Sequence, residues 1–216
     1  VAFIGSTGSG KSTLVNLIPR FYDVTNGAIK INNKDIRDYD LLDLRDHLGV
    51  IPQKAILFSG TIKDNIRFGK KDATDDEIEH AAKIAQAYDF IMAKEHGFDE
   101  EISEGATNVS GGQKQRLSIA RALVRKAPIY IFDDSFSALD FKTDAILRKE
   151  LKKEMSNSIM LVVAQRISSI MDADQIIVLN EGKVVGHGTH QQLLKECKIY
   201  YEIAISQLSE EELAHE

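Results

Sequence analysis

The chain has 216 residues, enough for one large α/β domain, or a core with a smaller subdomain, and for a substantial buried core. With 43% hydrophobic and 28% charged residues it is an ordinary globular composition, and a net charge of −6 provides no global basic field for nucleic acid or anionic lipid. A single cysteine, Cys197, excludes an internal disulfide, and no apolar run approaches the roughly eighteen residues of a membrane span.

The first element is an apolar run, Val1-Ala2-Phe3-Ile4, that reads as a central strand covered on both faces. It starts without a methionine and without a signal peptide, so the chain reads as a segment of something longer. The next nine residues, Gly5, Ser6, Thr7, Gly8, Ser9, Gly10, Lys11, Ser12 and Thr13, fit G-x-x-x-x-G-K-[ST] between a strand and a helix, the context this phosphate-binding motif requires. Its glycines allow positive φ, so that consecutive N–H groups curl around a phosphate chain. Lys11 is expected to reach the β- and γ-phosphates, and Ser12 to offer its hydroxyl to Mg²⁺. This loop is predicted to bind a nucleoside triphosphate. A helix is predicted from Ser12 to about Arg20, ended or kinked by Pro19.

Asn26-Gly27 turns the chain into a strand at 28–31, and Asn32-Asn33 turns it again. Leu41 to Asp46 reads as a short helix and Leu48 to Ile51 as a strand stopped by Pro52. From Thr61 to about Leu123 the apolar spacing (Ile78, Ala81, Ala82, Ile84, Ala85) predicts amphipathic helices without strands, an insertion into the α/β core. The core resumes with strands at 129–133, 159–163 and 175–179 and a helix at 142–154. Glu181-Gly182 predicts a hairpin turn into Lys183–Gly186, with helices from Gln191 and from Tyr200. The acidic end, Ser209 to Glu212, reads as a solvated helix end or a disordered terminus.

Two further stretches bear on the phosphate site. Ile129-Tyr-Ile-Phe-Asp133 is a buried strand ending in an acid that can hold Mg²⁺ opposite Ser12, and Asp134 follows at once. Val109-Ser-Gly-Gly-Gln-Lys-Gln-Arg opens a helix with bare backbone N–H groups and a hydroxyl, a second anion site. Val109–Gln113 resembles the LSGGQ signature of ATP-binding-cassette (ABC) proteins, and it lies just upstream of the Asp133 strand, where that family has it.

The resemblance extends over the whole chain and implies the ABC ATPase fold. That fold is an α/β P-loop core with a mostly parallel sheet flanked by helices, here 1–58 and 124–216. A helical subdomain, about 59–123, carries the signature. The family's strands before the P-loop, with their adenine-stacking aromatic residue, are missing from this segment. The family pairs two cassettes head to tail, so that Ser110, Gly111, Gly112 and Gln113 cover the ATP held by the partner's loop. Gln53 matches the glutamine that contacts Mg²⁺ and reports nucleotide state to the membrane domain. Leu57–Ile66 is similar to an exporter-type run, Ser103–Gly105 to a segment that touches the coupling helices, and Ser137–Asp140 to the loop that crosses the dimer interface. Asn180–Val185 and Gly188–His190 are similar to the family's tail, with His190 expected as a structural cap. The implied cofactors are ATP and Mg²⁺. The implied setting is the cytoplasmic face of a membrane, beside a transmembrane domain and with no nucleic acid.

In two places the chain departs from the family. The general base there is Glu; here it is Asp134, one methylene shorter, which leaves the carboxylate about 1.5 Å short of the attacking water. A misplacement of that size can cost about a hundredfold in rate. The family's switch histidine is replaced by Gln165, which can donate an N–H but has no cationic form. Asp134, Gln165 and Gln53 are therefore the candidate catalytic residues, and Ser12, Gln53 and Asp133 the candidate metal ligands. One reading is an ATPase with a degenerate site of its own, half of a heterodimeric exporter whose signature serves the partner. The others are an active homodimeric cassette, a soluble ABC protein of DNA repair or the ribosome, and a nucleotide-gated regulatory module.

Overall fold

The computed structural model describes residues 1–208. The acidic stretch 209–212 lies outside the described residues. In chain order the elements begin β1 (Ala2–Ile4), α1 (Lys11–Asn16), β2 (Lys30–Ile31), β3 (Lys34–Asp35), α2 (Leu41–Asp46) and β4 (Leu48–Ile51). Next are β5 (Gly60–Thr61), α3 (Ile62–Arg67), α4 (Asp75–Ile84), α5 (Tyr88–Met92), β6 (Glu101–Ile102) and α6 (Gly111–Leu123). Then come β7 (Ile129–Asp133), α7 (Phe141–Glu154), β8 (Ile159–Val163), β9 (Ile176–Asn180), β10 (Lys183–Gly188), α8 (His190–Glu196) and α9 (Lys198–Ile205).

Residues 1–48, 131–134 and 160–208 form one compact unit; residues 49–130 and 135–159 form a second. In the first, strands run in the order β10-β9-β1-β8-β7. β1 is parallel to both β8 and β9, and β10 is antiparallel to its neighbour β9. The all-apolar run of β1 is fully buried, as a central parallel strand must be. Behind it Ile176, Val178 and Ile4 pack with Tyr200 and Ala204 of α9. Each such large apolar side chain contributes about 1.5–3 kcal/mol on burial. The hydroxyl of Tyr200 and Nδ1 of His190 are 2.6 Å apart, which ties α9 to the first turn of α8.

Three local expectations are corrected within this unit. Helix α1 ends at Asn16 rather than near Arg20, because Leu17 N and Ile18 N turn to Leu14 O and Val15 O in tightened three-residue steps, and Pro19 disfavours helix at Ile18. β10 continues past Gly186 to Gly188 through an irregularity in register. His190 is not a cap: Thr189 is the N-cap of α8, with its side chain accepting from Gln192 N, and His190 is a buried strut.

The second unit is built from helices with well-formed starts. Thr61, Thr74 and Ser110 each cap a helix reciprocally with the residue three positions on, Asp64, Glu77 and Gln113. The stretch expected to lack strands carries one pair, β5 antiparallel to β6, too short to show a period-2 pattern. Arg121 of α6 fastens α3 and the segment before it. Its guanidinium donates to Asn65 O, Ile56 O and Asn65 Oδ1 at 2.8, 2.8 and 2.7 Å, and lies 4.9 Å from the Phe58 ring. Burial lowers its pKa to about 10, still charged at neutral pH.

Candidate functional site

The phosphate loop leaves β1 through Gly5, whose φ of 155° and tight surroundings admit no side chain: an added Cβ would fall onto the Leu179 carbonyl. Gly8 and Gly10 have φ of 81° and 94°, and a Cβ on Gly8 would meet nothing within 4 Å. The loop thus presents its backbone to open space at its crown. Ser6, Thr7 and Gly8 are exposed there, whereas Ser9 and Lys11 are buried beneath. Lys11 Nζ donates to Gly5 O at 2.8 Å, Ser6 O at 2.9 Å and Ser9 Oγ at 3.3 Å, which sets the ammonium inside the curl of the loop. Burial lowers its pKa, and the charges of Asp134 and Asp133 oppose that shift. From the far side, Gly182 N donates to Ser9 O at 3.1 Å. Gly182 and Glu181, both at positive φ (75° and 49°), form the two-residue β9–β10 turn expected from the sequence.

Ser12, in the first turn of α1, donates its hydroxyl to Asp133 Oδ1 at 2.7 Å, joining residues 121 positions apart. Asp133 ends β7 and is buried; burial raises its pKa, the Ser12 bond pulls it down, Asp134 raises it and Lys11 lowers it. A hydroxyl and a carboxylate are hard oxygen donors of the kind Mg²⁺ takes. Among the described residues no three His, Cys, Asp or Glu side chains come together to hold a metal. Mg²⁺ commonly takes one or two protein oxygens and fills its sphere with phosphate and water. The loop and this pair fit a magnesium–triphosphate.

Asp134 follows with a left-handed backbone (φ 47°), its N–H donating to Val163 O at 3.0 Å. Its Oδ2 accepts from Gln165 Nε2 at 2.6 Å. The two residues where the sequence departs from the family are therefore in direct contact. Thr13 is exposed on the first turn of α1.

The remaining candidates lie in the second unit. Ser110 and Gln113 bond each other, Gln113 N to Ser110 Oγ at 3.3 Å and Ser110 N to Gln113 Oε1 at 3.0 Å. Gly111 is exposed with open space around it, and a Cβ on Gly112 would sit 3.3 Å from Ala138 O. Just before Gln53, two buried side chains hold successive carbonyls: Ser135 Oγ donates to Ile51 O at 2.9 Å and Gln115 Nε2 to Pro52 O at 3.3 Å. Gln53 itself is exposed. Sequence reasoning gave no role at the site to Ser135, Gln115 or Gln207, and it read Gly182 as a turn residue without its contact to the phosphate loop. Gln207 donates Nε2–H to Gln165 O and accepts from Ile167 N, both at 2.8 Å.

The family model described as ABC transporter matches residues 1–137. An uncharacterised ABC transporter ATP-binding protein of Mycobacterium tuberculosis is 47% identical over 209 residues, 95% of this chain and 36% of the relative. The ATP-dependent lipid A-core flippase of Syntrophus aciditrophicus is 44% identical over the full 216 residues, again 36% of the relative. A putative multidrug export ATP-binding/permease protein of Staphylococcus aureus is 47% identical over 200 residues, 93% of this chain and 35% of the relative. The chain thus spans about a third of the length of these relatives. A bacterial Atm1-family ABC exporter with ATP bound superposes with a TM-score of 0.93 at 39% identity, over 97% of this chain and 36% of that one.

Proposed function

The chain belongs to the ABC transporter family, and on that premise we propose that it is the nucleotide-binding domain of a membrane exporter, working at the cytoplasmic face beside a transmembrane domain. Its α/β core is assigned to 1–58 and 124–216, and its helical subdomain to about 59–123. The observation that carries the ATP assignment is the Lys11 ammonium held inside the phosphate loop, next to the Ser12–Asp133 contact of 2.7 Å. The N–H groups of Gly8 to Ser12 and the Lys11 ammonium would hold the β- and γ-phosphates, and Ser12, Asp133 and Gln53 would hold the metal. Magnesium, when bound, draws off negative charge from the phosphates.

Asp134 is the group that takes the proton of the attacking water, and Gln165 holds its carboxylate through the 2.6 Å bond. The amide orients Asp134, yet it cannot gain a charge to offset the one developing during the reaction. With the carboxylate also one methylene short, this site holds ATP far longer than it hydrolyses it. Ser110, Gly111, Gly112 and Gln113 then serve a faster site on the loop of a second cassette in a head-to-tail dimer, a different chain. The names of the exporter relatives support the transport setting.

A second reading is an active homodimer, favoured by the intact Asp134–Gln165 contact, which keeps the acid held as a functioning pair would. ATP turnover of the full-length protein, measured alone and with its partner cassette, separates the two. Brisk hydrolysis by the protein alone would refute the slow-site reading.

A further inference from the structure

We propose that Gln207, 42 residues from Gln165, is a positioning residue that sets the switch segment at the nucleotide site. The inference rests on the assignment of Gln165 and Asp134 as the hydrolytic pair. The Gln207 amide clasps the backbone at two points, accepting from Ile167 N and donating to Gln165 O, both at 2.8 Å. One side chain thereby does what a β-bridge does, fixing the carbonyl of one residue and the N–H two positions on. The clasped segment has little other regular structure, since β8 ends at Val163 and the next turn is a short 3₁₀ helix at Ile167–Ser169.

The clasp is itself firmly mounted. Gln207 N and Leu208 N both donate to Ala204 O, at 3.0 and 2.8 Å, at the end of α9. Tyr200 and Ala204 of that helix are fully buried, and Leu208 packs on the same core. A rigid chain of contacts therefore runs from the core through Ala204 and Gln207 to the backbone of Gln165. From there the Gln165 side chain reaches Asp134 Oδ2 at 2.6 Å. Gln207 acts on the hydrolytic pair through Gln165, whose backbone it holds. The C-terminal helix is in this way a handle on the switch.

The test is a double-mutant cycle in the full-length protein in its native assembly, with radiolabelled ATP trapped at this site and its release followed with time. Gln207→Ala is expected to speed release about fivefold to tenfold, the loss of about one net hydrogen bond, and to raise hydrogen exchange at the Ile167 amide. Gln207→Glu keeps the acceptor for Ile167 N but loses the donor to Gln165 O, and should fall between the two. On a Gln165→Ala background, Gln207→Ala should have no further effect on release. Equal effects in both backgrounds mean a general structural role and overturn the proposal. So does a silent Gln207→Ala, or an unchanged Ile167 amide, where Gln165→Ala alone alters release. A Gln165→Ala variant that behaves as the parent overturns the switch assignment itself, and the proposal with it.

Discussion

Converting the hydrolytic pair to Asp134→Glu with Gln165→His should raise kcat at this site by about a hundredfold, equivalent to about 2.7 kcal/mol of barrier. The extra C–C bond carries the carboxylate forward by about 1.5 Å. Gln165 Nε2 already stands 2.6 Å from Asp134 Oδ2, so the longer acid cannot advance unless that amide gives way. Asp134→Glu alone is therefore expected to give only about a tenth of the gain. The histidine supplies the remainder through its cationic form, and the two changes will not be additive because the side chains touch. A second readout has the opposite sign. Asp134 sits at φ 47°, a region that Asp tolerates better than Glu, so the substitution should cost roughly 1 kcal/mol of stability while the rate rises. The assay is phosphate release by the full-length protein at saturating ATP, with kcat and KM separated, beside a thermal melt. KM should change little, because the phosphate cradle is untouched. A kcat in the double variant no higher than in the parent would refute the reasoning.

Three further perturbations follow from particular contacts. Gly5→Ala should abolish ATP binding, measured by equilibrium dialysis, because its Cβ would fall onto Leu179 O and within 2.8 Å of Ser9 Oγ in a backbone at positive φ; tight binding by that variant would contradict the loop geometry. Arg121→Ala should lower stability by about 3 kcal/mol in thermal unfolding, and Arg121→Lys should recover less than half, since an ammonium cannot make the forked contacts to Ile56 O and Asn65. Glu77 is held at a pKa of about 2 by Lys70, then Lys126 and the Thr74 N–H. A depressed carboxylate stabilises the fold fully above its ordinary value of 4.5 and loses that contribution as pH falls toward 2. Glu77→Gln should thus melt below the parent at pH 7, with the gap closing through that window; a gap constant with pH would show that the charge plays no part.

What the sequence made legible were features written in neighbouring residues. The loop from Gly5 to Thr13 and the strand ending in Asp133 need only local spacing to be read, and the Glu181-Gly182 turn needs only residues that accept positive φ. The Asp134–Gln165 pair could be flagged as two departures, but their contact comes from β7 and β8 as neighbours in the sheet. His190 shows where local reasoning runs out. The resemblance of Gly188–His190 to the family's tail suggested a cap, whereas its role depends on Tyr200, ten residues on, folding back against it. The β5–β6 pair was invisible because two residues cannot display a period. Gln207 was invisible for a stronger reason: an exposed glutamine after an amphipathic helix has nothing to distinguish it until the packing of α9 has placed it.

The bond from Gly182 N to Ser9 O bears on any attempt to transplant the phosphate loop. The motif is nine residues long, yet here its buried floor at Ser9 leans on a hairpin more than 170 positions away in sequence, with Leu179 O closing the space at Gly5. A graft of Gly5–Thr13 onto a foreign strand and helix would carry the donors without the scaffold that shapes them. The smallest unit that can be moved intact is the loop together with the β9–β10 hairpin. Random libraries should accordingly find loss-of-binding variants at Glu181 and Gly182, residues that carry no phosphate donor of their own.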